Sequence, residues 1–169
     1  MAASVRGVFW DDQTGLFRST TGACNVPDIW GSAFAVWLRV ATKEQTRRVA
    51  GYFKEHYGEL VLHGQVRHTP GFMDWNGNKT ATDSGNYQSG GFWATPTGWF
   101  AYTLDQADSA LADKTVIEMV RHFQEHGACE WVNREGKGQL PGYTASAALP
   151  LAGIRTMLES RNHASSVGN

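Results

Sequence analysis

The chain has 169 residues, 41% of them apolar and 18% charged, with a formal net charge of -1, which suits one folded domain with a real core. Charges of interspersed sign leave no electrostatic footprint for nucleic acid or an anionic membrane. No basic-then-apolar leader or long uncharged apolar segment marks a signal peptide or membrane span, and the spacing of Cys24 and Cys129 is not of a metal-binding type, so pairing and compartment stay open.

Residues 7–19, GVFWDDQTGLFRS, read as a β-hairpin, with two aromatic segments flanking the turn composition Asp-Asp-Gln-Thr-Gly. After a loop through Gly22, Asn25 and Pro27, DIWGSAFAVWLRVAT starts with Asp28 as N-cap and is apolar on nearly every side, the pattern of a buried helix. TKEQTRRVAGYFKEHYG is different. Thr42 and Gln45 make a capping box, Val49, Tyr52, Phe53 and Tyr57 form one stripe, and Gly58 ends the helix. An inner helix is thus followed directly by an outer, amphipathic one.

Residues 59–94 carry little helical period. ELVLHGQVRH reads as extended, and residues 69–93 as a loop whose aromatics Phe72, Trp75, Tyr87, Phe92 and Trp93 favour a functional role. Asn78-Lys-Thr within it is a formal glycosylation acceptor. A second pair of helices follows. TPTGWFAYTLDQA opens with Thr95 as N-cap and Pro96 at the first helical position. SALADKTVIEMVRHFQEHG sets Leu111, Ile117, Val120 and Phe123 on one face and closes at Gly127. YTASAALPLAGIRTML completes the ordered part at about residue 160, with Pro150 kinking it or marking its start; residues 161–169 read as a disordered tail. Seven tryptophans and nineteen glycines suit either a carbohydrate site or a large aromatic core.

Two stretches carry candidate chemistry. HFQEH fits a zinc-protease signature, in which His122 and His126 share a helical face beside a glutamate. The pair closes an outer helix, however, where a histidine also suits the negative end of the macrodipole, so no metal is assigned. In GACEWVN, Glu130 lies on the connection to the last helix, and Trp131 beside it can exclude water and raise a carboxyl pKa. A salt bridge or capping contact explains the same glutamate equally well.

Four stretches together resemble the six-hairpin glycosidases, whose (α/α)6 barrels alternate inner and outer helices around a sugar pocket. FWDDQTGLF with DIWGSAFAVWLRVAT is similar to the hairpin and inner helix of a late repeat, and NYQSGGFWATPTGWFAYTL to the entry of another inner helix. ACEWVN with GYTASAALPLAGIRTML is similar to the last outer-to-inner connection. The fold class implied is mainly α, a partial (α/α) barrel or incomplete α/α toroid, with a small N-terminal β-hairpin. Only about half of the hairpins are present, so residues 1–160 are expected to be the C-terminal portion of such a barrel. The missing half, or self-association, would then cover the exposed inner helices.

The activity implied is glycoside hydrolysis without a cofactor, on an oligo- or polysaccharide. Glu130 matches the family's general base, and Asp28 is a second acidic candidate that N-capping also explains. Trp30 looks like a stacking platform, and Tyr87, Gln88, Trp93, Trp99 and Trp131 like pocket wall. His63, Gln65, Arg67 and His68 are placed to reach sugar hydroxyls or simply to decorate a strand. Two other classes stay open: a non-catalytic helical carbohydrate-binding or structural domain, and another barrel activity such as a lyase, isomerase or phosphorylase.

Overall fold

The computed structural model describes residues 1–22, 24–71 and 87–167. Phe72, Trp75 and the acceptor at Asn78 lie outside the described residues. The chain opens with a helix, α1 (Ala2–Phe9), that buries no residue. The expected hairpin is therefore shorter than residues 7–19. It consists of β1 (Trp10–Asp11) and β2 (Leu16–Phe17), paired antiparallel, and Gly15 takes a positive φ of 72° at the end of the turn.

The helices at the centre of the chain lie where their patterns predict. In α2 (Ile29–Trp37) the Asp28 side chain accepts from Gly31 N, and Ile29, Ser32, Ala33, Ala35 and Val36 are buried. In α3 (Lys43–Glu55) Thr42 and Gln45 close the capping box, and Val49, Ala50 and Phe53 face inward. The short α4 (Tyr57–Leu60) follows, so Gly58 sits inside a helical turn and does not end α3. Helix α5 (Thr97–Leu104) is packed on by α2, α3, α6 (Ser109–His126) and α7 (Thr144–Val167). Pro96 is its N-cap, one residue later than expected, and the buried Thr95 hydroxyl makes no cap bond. Phe53 and Phe100 stack at 4.4 Å in the centre of the core, and each such ring, fully buried, contributes about 1.5–3 kcal/mol.

Two helices differ from their sequence patterns. On α6 the buried residues are Ala112, Thr115, Met119 and His122, while Ile117 and Val120 of the expected stripe are 48% and 44% exposed. Helix α7 contains Pro150 and continues through residues 161–167, which the sequence reading assigns to a tail. It crosses α5 so closely that a Cβ on Gly153 would lie 2.2 Å from the Gly98 carbonyl carbon.

The mainly α partial barrel is overturned by a sheet. Strands β3 (Val61–Leu62), β4 (Gln65–Arg67), β5 (Phe92–Trp93), β6 (Cys129–Val132) and β7 (Gly138–Pro141) pair in chain order, all antiparallel. The fold is mixed α/β, with a five-stranded antiparallel sheet and a separate two-stranded one. Its strands are two to four residues long, too short to show a two-residue alternation, and their partners are up to dozens of residues away. Phe92, Cys129 and Val132 form a second, small core under this sheet, joined by Leu62.

Candidate functional site

The N-terminus of α2 and the sheet come together around a run of aromatic rings. Asp28 Oδ1 accepts from Gly31 N at 2.7 Å and lies 3.4 Å from His68 Nε2. The backbone repeats this link, because Ile29 N donates to the His68 carbonyl at 2.9 Å. The His68 imidazole in turn stacks on Trp30, with centroids 4.2 Å apart and planes 13° from parallel. Trp30 Nε1 donates to the Val66 carbonyl of β4 at 3.2 Å, anchoring the indole to the sheet.

From Trp30 the run crosses the sheet. Trp93 on β5 meets Trp30 edge-on at 5.4 Å, and Tyr87, in the 3-10 turn Tyr87–Ser89, lies 5.1 Å from Trp93. Trp131 on β6 completes the run, 6.0 Å from Tyr87 and near perpendicular to it. These separations and tilts are those of favourable aromatic pairs. Gly91 makes the last approach possible, since a Cβ there would lie 2.7 Å from the Trp131 ring.

Glu130 precedes Trp131 on β6 and is 9% exposed. Successive strand residues leave opposite faces, so Trp131 is not the group that covers it. The start of α7 lies beside it instead, and Ser146 Oγ donates to the Glu130 carbonyl at 3.3 Å. Burial first, then the Glu130 carboxylate and Tyr143, raises the Tyr87 phenol above its ordinary value. Tyr87 therefore remains a hydrogen-bond donor throughout the neutral range. Tyr143 escaped the sequence reading, and its position one residue before the last helix was the available signal.

No family model matches the chain, and no curated protein does.

The other predicted residues separate into three groups. Gln88 adjoins Tyr87 in the 3-10 turn and is half-buried. Trp99 belongs to a second ring set with Phe34 at 4.6 Å and Trp37 at 6.1 Å. Trp30, Phe34 and Trp37 recur along one stripe of α2, so this set adjoins the wall without forming part of it. The members of HGQVRH are divided between sites. His68 joins the wall, whereas His63 and Gln65 face α6 through His122. Arg67 is buried, donates to the Glu59 carbonyl at 3.0 Å and lies 5.2 Å from the Phe92 ring; burial lowers its pKa from the ordinary value.

His122 and His126 sit 4.9 Å apart at the end of α6, but stacked and tilted rings turn faces to each other and do not aim lone pairs at a common point. Among the described residues, no three His, Cys, Asp or Glu side chains are grouped to hold a metal ion. Among the same residues, no helix is long and apolar enough to cross a membrane.

Proposed function

We propose that this chain binds a saccharide along the wall formed by Trp30, Trp93, Tyr87 and Trp131, with Glu130 as general base in hydrolysis of a glycosidic bond. One observation carries the reading. Four aromatic residues from separate parts of the chain form consecutive ring contacts that run from the Asp28–His68 pair to Trp131, and the Glu130 carboxylate acts electrostatically on the Tyr87 phenol of that run. Flat rings meet the apolar faces of sugars, and Tyr87, His68 and Glu130 supply hydrogen bonds to hydroxyls. The local stretches that resemble six-hairpin glycosidases support the same substrate class, without their barrel.

Asp28 favours a second reading, saccharide binding without turnover. Its Oδ1 is engaged by Gly31 N and His68, which suits a capping and positioning role and leaves Glu130 without an evident acid partner. The partner expectation enters the proposal as well. Phe34, Leu38, Leu149, Leu151 and Leu158 expose 38–53% of their surface on α2 and α7, which favours association with a further segment or a second copy.

The test is a panel of neutral and acidic oligosaccharides, followed by tryptophan fluorescence and product analysis. Binding should be lost in Trp131→Ala, since Trp131 is partly exposed. Glu130→Gln should retain binding and lower turnover by about 10²–10⁴-fold, the range for an acid–base group. Binding without any turnover in the unaltered protein selects the second reading, and absence of binding across the panel removes both.

A further inference from the structure

The aromatic wall does not account for HFQEH. His122 is 5% exposed on the packed face of α6, and its ring lies 5.0 Å from His63 at 17° and 4.9 Å from His126 at 53°. Three of the six histidines thus form one column. His63 reaches it through the two-residue turn joining β3 to β4, where His63 and Gly64 have φ of 52° and 71°. Positive φ at both central residues is the primed hairpin geometry. The turn rests directly on the helix, because a Cβ on Gly64 would lie 2.2 Å from the Thr115 carbonyl oxygen.

Gln65 underlies the column. Its Nε2 is 3.2 Å from His122 Nδ1, while its Oε1 is buried without a hydrogen-bond partner. With the Gln65 amide turned this way, its N–H meets a bare Nδ1 and neutral His122 holds its proton on Nε2. A second proton would oppose N–H to N–H until the Gln65 amide turned. The other charges nearby come from three elements. On α6, Lys114 pairs with Glu118, Glu125 lies 3.7 Å from His126, and Arg121 lines the same cleft. Cys129 of β6 and Lys137 of the β6–β7 turn line the cleft on the other side. Burial, then His63 and His126, hold His122 below the ordinary histidine value, with Glu125 opposing.

We propose that the His63–His122–His126 column is an acid-released latch, which keeps the β3–β4 hairpin on α6 while His122 is neutral and frees it when His122 gains a proton. This device does not depend on the saccharide reading. The sign follows from the lowered value. With the hairpin open, His122 binds a proton more readily than with it closed, so closure is complete above the open-state value of about 6.5 and weakens as pH falls below it. Weakening continues down to the closed-state value.

Hydrogen exchange at the amides of residues 61–66, corrected for its intrinsic pH dependence and compared with α5, tests the latch between pH 7.5 and 5. In the unaltered protein, hairpin protection relative to α5 should fall by up to about tenfold per pH unit below 6.5, the limit for one linked proton. His63→Asn keeps the turn, since Asn-Gly prefers the same geometry, and with it the burial of His122, so it should lessen that dependence by the share that His63 contributes. The His122 imidazole resonance should titrate below the ordinary histidine midpoint. Hairpin and α5 losing protection in parallel, an undiminished dependence in His63→Asn, or a His122 midpoint at or above the ordinary value would each overturn the proposal.

Discussion

Asp28 illustrates how one side chain serves local and long-range structure together. Its carboxylate satisfies an N–H at the start of α2, a purely local task, and the same oxygen meets His68 from the end of β4. These tasks separate by substitution. Asp28→Asn retains a good capping acceptor and should leave urea stability nearly unchanged, whereas Asp28→Ala should cost about 1 kcal/mol. Equal losses in the two variants would show that the His68 contact, and not the cap, carries the stability. The cap was legible because capping follows from adjacent residues. The histidine was not, since it lies forty positions further along the chain, beyond two strands.

At the scale of elements, α6 shows where a helical pattern misleads. Leu111, Ile117, Val120 and Phe123 read as the inward stripe; Leu111 does pack against the main core, but Ile117 and Val120 are exposed and the buried residues are Ala112, Thr115, Met119 and His122. The cause is close approach. The Gly64 backbone lies against the backbone of Thr115 and Met119, so the hairpin covers this face of the helix whatever its apolar pattern. The α5–α7 crossing obeys the same rule through Gly98 and Gly153. Gly153→Ala should therefore destabilise the protein by about 1–3 kcal/mol through overpacking. A denaturation midpoint that does not move would mean that the crossing relaxes to admit the methyl group.

Across the whole molecule, Arg161 holds the end of α7 to the body. Its guanidinium donates to Asp105, just after α5, at 2.9 Å and to Asp113 of α6 at 2.8 Å. Hydrogen bonds to Asp105, then Asp113, raise the arginine pKa, so the guanidinium remains charged. Asp105 is mostly buried, and Arg161→Ala would leave it unpaired. The expected loss is about 2 kcal/mol in urea denaturation, together with faster amide exchange in residues 161–167. These contacts explain why the helix persists where composition alone predicts fraying.

Local physics was readable from the residues alone: the caps at Asp28, Thr42 and Gly127, the all-round apolarity of α2, and the approximate limits of α3, α5 and α6. Each depends on neighbours within a few positions, where spacing and side-chain chemistry act directly. The aromatic candidates Trp30, Tyr87, Trp93 and Trp131 were also visible as residue types. Only the tertiary structure decided that they touch, that Trp99 adjoins a different ring set, and that HGQVRH divides between the wall and α6. The same is true of the sheet that replaced the expected barrel. Pairings such as Val66 with Trp93 and Phe92 with Val132 join strands too short for a periodic signal across long stretches of chain, and backbone hydrogen bonding of that kind leaves no mark in either segment by itself.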